Sequence, residues 1–192
     1  MVEITLTQQQ VQYLNDQYPA LVYNELENTI TGVLKFDLTY PDENGTRIED
    51  QYSIEINLKE LLEGIVPKVR ETEGRILAIA VKKGVTGADM HLYDRTGSMC
   101  IIIPPEVKEK YPNGFNLQIL LYHLEEHFYW ITHYDRFNIK PWPEYGHSEL
   151  GYLQLYLKDQ EKYNDEVKTY LKSSSRQAFR KKIRDLKKKY KI

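Results

Sequence analysis

One cysteine, Cys100, and five histidines are the residues of this 192-residue chain best suited to covalent or acid–base chemistry. A thiolate is a strong nucleophile where it is exposed and its neighbours favour the charged form. A lone cysteine cannot close an internal disulfide or build a thiolate-rich zinc site, so a reducing, cytoplasmic setting is expected and Cys100 is either a nucleophile or core filler. Its setting supports both. Gly97 and Ser98 are small enough to admit a bulky acyl donor, whereas Met99, Ile101 and Ile102 suit a buried strand, and free cysteine is among the most buried residue types. His147, after a Pro-rich turn, reads as either a helix-entry histidine or a base close to Cys100.

A second constellation, His123-Leu124-Glu125-Glu126-His127, meets the H-x-x-E-H zinc pattern, in which two histidines one turn apart hold metal and the glutamate activates water. A third ligand would have to come from Glu149, Glu161, Glu166 or His133, and no recognisable second half surrounds those positions. The five-residue pattern is also easily met by chance on the polar face of an amphipathic helix whose apolar face is Leu124, Phe128 and Ile131. No metal and no cofactor is therefore expected.

The elements that must position these residues can be read from spacing. Val11, Leu14 and Leu21 predict an opening helix over Thr7 to Asn24, with Thr5 or Thr7 as N-cap. Leu34 to Tyr40 and Tyr52 to Leu58 alternate about the turn residues Pro41 to Gly45, which predicts an antiparallel hairpin. Val66 to Val69 and the apolar run Ile76 to Val81 each read as strands, giving a sheet of three to four strands. Leu117, Leu120, Leu121, Leu124, Phe128 and Ile131 form one stripe of a helix that should pack across that sheet. Beyond Pro141-Trp142-Pro143, a helical segment over Ser148 to Leu171 has Ser148 as N-cap. Phe179, Ile183, Leu186 and Tyr190 then mark a last helix.

Composition bounds the rest. With 192 residues and 41% hydrophobic content, the chain is expected to form one core, over 1–172, with a basic amphipathic helix at 173–192. Nothing approaches the roughly 20 apolar residues of a membrane span, and Met1 does not open a secretion signal. The net charge of -2 hides an asymmetry: Lys172 to Ile192 carries ten Lys or Arg and one acid, leaving 16 basic against 27 acidic side chains before it. Docking of the tail's apolar stripe onto the body is expected. An acidic partner or nucleic acid is an alternative for the basic face, with nucleic acid the less expected because no aromatics are interleaved in the manner of a single-strand binder.

The segment His91-Leu92-Tyr93-Asp94-Arg95-Thr96-Gly97-Ser98-Met99-Cys100 resembles the His-Pro-Asn motif of ubiquitin-conjugating enzymes followed by their Gly-Ser-hydrophobic-Cys. Ile65 to Val69 with Glu71 and Gly74-Arg75-Ile76 resembles the Pro-containing strand before that histidine in bacterial members. Trp142-Pro143-Glu144-Tyr145-Gly146-His147 and Gly151 resemble their Trp-Pro-x-x-Glu-x-x-His-Gly signature. The resemblance, which spans roughly Gly32 to Tyr156, implies an α+β fold of that family: an antiparallel meander sheet with helices packed on it. It also implies a cysteine acyltransferase in which Cys100 carries the acyl group and His91 supports the loop. Tyr93 stands where the family has its Asn and Leu92 where it has proline, so the oxyanion donor would be Tyr93, Ser98, His147 or a backbone N–H. The implied partners are an activating enzyme and a donor, either a ubiquitin-like protein or a nucleotidyltransferase C-terminus as in CBASS-type antiphage operons. Two rivals are a catalytically inactive binding module of the same fold and a zinc hydrolase built on His123 and His127.

Overall fold

The structure, a computed structural model, describes residues 3–40 and 45–192. Of the expected turn over Pro41 to Gly45, residues 41–44 lie outside them. The chain divides into two units, Met1–Trp142 and Pro143–Ile192.

The first unit opens with helix α1, Gln8–Gln17, closed at its start by a capping box in which Thr7 and Gln10 exchange side chain-to-backbone hydrogen bonds. The helix does not run on to Asn24 as expected. Pro19 disfavours helical backbone at Tyr18, which sits at φ -132°, and the chain leaves the helix there. Leu21–Asn24 instead forms strand β1. Three further strands follow, β2 (Thr29–Thr39), β3 (Arg47–Leu62) and β4 (Val66–Glu71), and the four pair in chain order, each antiparallel to the next. The predicted hairpin is present, with Leu34 opposite Tyr52 and Ile30 opposite Ile56. Alternation puts Leu34, Phe36, Tyr52, Ile54, Ile56 and Leu58 in the core.

The run expected as a strand over Ile76 to Val81 is a helix, α2 (Arg75–Lys83), between left-handed Gly74 and Gly84. A short apolar run does not distinguish a buried strand from a buried helix, and here the buried positions, Ile76, Ile79 and Ala80, follow the helical period while Val81 is exposed. A four-residue helix, α3 (Val107–Lys110), precedes α4 (Leu117–Phe137). Asn116 caps α4 through the Ile119 N–H, and the helix packs on β2 and β3 as predicted. Its burial is wider than one stripe: His123, His127, Tyr129, Trp130 and His133 are buried along with Leu120, Leu121, Leu124, Phe128 and Ile131.

One polar cluster fastens helix and sheet. Asp50 on β3 accepts from Arg75 of α2 at 2.6 and 2.9 Å, from Arg136 of α4 at 3.2 Å and from the Thr132 hydroxyl at 3.1 Å. The Arg75 guanidinium also lies 4.2 Å over the Tyr52 ring.

The second unit holds α5 (Glu149–Lys158), α6 (Gln160–Tyr170) and α7 (Arg176–Tyr190). The segment read as one helix is broken at Asp159, which ends α5 and caps α6 by accepting from the Lys162 N–H. Ser148 stands at the N-cap position but makes no side-chain cap. The tail helix is present, with Phe179, Ile183 and Leu186 buried, and α7 packs with α5.

Candidate functional site

The loop after α2 returns to the sheet and forms a small hairpin on the free side of β4. Residues 97–99 lie along that strand: Arg70 and Ser98 form an antiparallel bridge, the Glu71 N–H donates to the Gly97 carbonyl at 2.9 Å, and the Met99 N–H donates to the Val69 carbonyl at 2.9 Å. Residues 91–93 pair with 98–100 on the outer side. The Tyr93 N–H donates to the Ser98 carbonyl and the Cys100 N–H to the His91 carbonyl, both at 2.8 Å. The hairpin is closed by Asp94, whose carboxylate accepts from the Thr96 N–H and hydroxyl and from the Ser98 N–H; the Thr96 hydroxyl bond is the main reason its carboxyl titrates below the usual range.

This hairpin fixes where the thiol points. Leu92 and Met99 face each other across the bridge and both are buried, so the next side chain along, Cys100, turns to the other side. Cys100 is partly exposed and is not disulfide-bonded, while Met99 and Ile102 around it are buried. The residues expected to admit a donor are arranged differently. Gly97 and Ser98 are buried, and Gly97 is small because it lies flat against β4: at φ +88°, a Cβ there would sit 2.0 Å from the Glu71 carbonyl oxygen. Of the two hydroxyls expected as oxyanion donors, the residue bearing one, Tyr93, is 61% exposed and the other, Ser98, is 3% exposed.

His91 sits in the left-handed region at φ 59°, and its backbone holds both ends of the loop, donating to Ala88 and accepting from Cys100. Its ring lies edge-on to His127 and Trp130, with centroids at 4.8 and 5.3 Å. Trp130 was not singled out from the sequence, and His123 and His127 of the same helix were read only as a zinc pattern or a polar face. His123 and His127 were expected on a polar face, yet each is only 8% exposed, because α4 is covered on most sides around them. The Tyr111 hydroxyl and His123 Nδ1 lie 3.2 Å apart. Burial pushes His123 down to about 3, helped by Lys110 and opposed by contact with the Ile101 backbone. Burial also holds His127 well below the ordinary imidazole range, with His91, His123 and Lys110 adding to the effect, and its Nε2 is buried without a hydrogen-bond partner. Both rings are neutral at pH 7.

The H-x-x-E-H pattern does not assemble a ligand set. Glu126 is in an ion pair with Lys110 at 3.2 Å, Glu125 is half-buried beside Tyr18, and among the described residues no group of three His, Cys, Asp or Glu is arranged to hold a metal.

Trp142 stacks on Tyr40 at 4.2 Å and on Tyr129 at 5.8 Å, and its carbonyl accepts from the Trp130 indole N–H at 3.2 Å. It ends the first unit as a structural plug. His147 belongs to the second unit, directly before the N-cap position of α5, where its carbonyl accepts from the Leu150 N–H at 3.3 Å. The glycines of that motif have a packing reason: a Cβ on Gly151 would stand 2.2 Å from the Gly146 carbonyl oxygen. The first unit thus brings together Cys100, His91, Tyr93, Gly97 and Ser98.

No helix among the described residues is long and apolar enough to cross a membrane. No family model, no curated protein and no solved structure matches this chain.

Proposed function

We propose that the chain is an acyl carrier and transferase of the ubiquitin-conjugating type, with Cys100 as the nucleophile. The observation that carries this reading is the partly exposed thiol on a backbone locked to β4 and to His91, between neighbours that are anchored in the core. A core cysteine would share the burial of Met99 and Ile102. The order of a four-stranded antiparallel meander, a cysteine loop and a long helix across the sheet supports the same reading.

In the first step the Cys100 thiolate attacks the thioester carbonyl by which an activating enzyme holds the C-terminal glycine of a donor protein. The new C–S bond forms as the old one breaks, and the activating enzyme's thiolate leaves. In the second step an amine attacks the carbonyl carbon, the oxyanion collapses, the Cys100 thiolate leaves and the amine nitrogen loses its proton, giving an amide. His147 keeps its assignment as candidate base for that proton on the sequence pattern alone. Tyr93, 61% exposed at the position of the family Asn, is nearer the loop surface where an oxyanion would form than Ser98, which is buried.

Charging tests the reading. Incubation with an activating enzyme, ATP and candidate donors should give a donor-sized adduct that thiols release and that Cys100→Ala lacks.

A further inference from the structure

Helix α7 carries its charges unevenly. At 3.6 residues per turn, Phe179, Ile183, Leu186 and Tyr190 mark one side, and the first three are buried. Arg180, Arg184 and Lys187 form one row beside that stripe, and Lys181 and Lys188 form a second row behind it, together covering roughly 120° of the helix over about 12 Å, with Lys191 as the C-cap residue at the end of the arc. The lysines of the opposite flank are in use: Lys182 donates to the Leu171 carbonyl, and Lys189 pairs with Glu149 at 2.9 Å. Among the described residues no ion pair or side-chain hydrogen bond engages the six cations of the arc, and five of them are exposed, with Lys187 half-buried. Asp185, the one acid of the helix, lies outside the arc.

This arrangement is unfavourable for the isolated helix. Arg180 and Arg184, and Arg184 and Lys188, stand four residues apart with like charge, each pair costing about a few tenths of a kcal/mol. Tertiary docking of the apolar stripe explains why the helix forms; it does not explain why one arc is purely cationic. An anionic partner does.

We infer that the α7 arc binds the phosphate backbone of double-stranded DNA. Within the arc there is no aromatic or aliphatic anchor of the kind that centres protein–protein interfaces, where lysine is depleted. With no stacking side chain among the six, single strands gain nothing beyond charge. What remains is two rows of long cationic arms on a rigid, docked helix, suited to the regularly spaced phosphates bordering the wide groove of B-form DNA. Contacts of this type position a protein on a duplex without reading its sequence.

The test is fluorescence anisotropy of the full chain with a labelled 20-base-pair DNA duplex between 50 and 200 mM salt, with duplex RNA and a polyglutamate peptide in parallel. Binding to DNA should weaken steeply with salt, by about 0.9 log units per log unit of salt for each phosphate neutralised. The triple variant Arg180→Gln, Arg184→Gln, Lys188→Gln keeps the buried stripe and removes like-charge repulsion, so it should fold, bind at least tenfold more weakly at 100 mM salt and show a shallower salt slope by about 2 to 3. Absence of DNA binding at 50 mM salt, or a triple variant with wild-type affinity and slope, overturns the inference. Tighter binding of polyglutamate or of duplex RNA overturns the assignment to DNA.

Discussion

The Cys100 N–H donates to the His91 carbonyl at 2.8 Å, and His91 makes that bond from a left-handed backbone conformation. The expected nucleophile and the histidine expected to support its loop are therefore the two ends of one backbone clasp. Pairing of 91–93 with 98–100, and of 97–99 with β4, extends the sheet far enough to hold the thiol at its surface.

Exposure of that thiol is directly measurable, because Cys100 is the only cysteine. Alkylation of the native protein by N-ethylmaleimide at pH 7.5, followed by intact mass, should add one label within minutes. Labelling only after denaturant would place the thiol in the core.

Gly97 sets the hairpin against β4, so Gly97→Ala forces a Cβ towards the Glu71 carbonyl at an unfavourable φ. The expected loss is about 2–3 kcal/mol in urea unfolding, from overpacking plus backbone strain. Gly64 is the comparison: it is also left-handed, but a Cβ there would meet no atom within 4 Å, and Gly64→Ala should cost only about 1 kcal/mol.

Burial of neutral His123 and His127 predicts acid sensitivity. Their folded-state pKa values lie below the unfolded value near 6.5, so the unfolded chain binds protons that the native one does not as pH falls through that value. Stability is complete above about pH 7 and falls by about 1.4 kcal/mol per pH unit for each ring below about 6.5. Urea unfolding at pH 7.5 and 5.5 should show the loss, and His127→Gln should remove about half of the pH dependence. Equal stability at the two pH values would show that the rings are not buried as described.

Asp50 is the hub between β3, α2 and α4. Burial alone would raise its carboxyl, but hydrogen bonds from Arg75, the Gln51 N–H and Thr132, with the Arg75 charge, bring it below the usual range. Its contribution is thus present above about pH 4 and lost on further acidification. Asp50→Asn should cost about 2 kcal/mol at pH 7, less than a fully buried pair because Arg75 and Arg136 still reach water. Thermal unfolding of the variant checks this.

Where periodicity was unbroken, the sequence was informative. The alternation of Leu34–Tyr40 and Tyr52–Leu58 and the stripes of α4 and α7 each correspond to an observed element. Errors came where two principles competed. Leu21 continued a helical spacing, but Pro19 had already ended the helix. Ile76 to Val81 was too short and too apolar for its period to be read without knowing which of its residues, such as Val81, would stay in water. The burial of His123 and His127 depended on how many neighbours cover α4; the signal available was that Leu120-Leu121 and Phe128 to Ile131 are apolar around more than one face. For the site, the spacing from His91 to Cys100 marked the loop, but the reason for Gly97 lay in its contact with Glu71, far away in sequence and invisible to a local pattern.

Acceptance of an acyl group by Cys100 is open to a decisive check, intact-mass analysis of charging by wild type, Cys100→Ser and Cys100→Ala. The prediction is a donor adduct on wild type that thiols cleave, an adduct on Cys100→Ser that resists thiols but yields to hydroxylamine, and none on Cys100→Ala. An adduct of equal yield on Cys100→Ala, or a thiol-resistant one on wild type from the first time point, would contradict it.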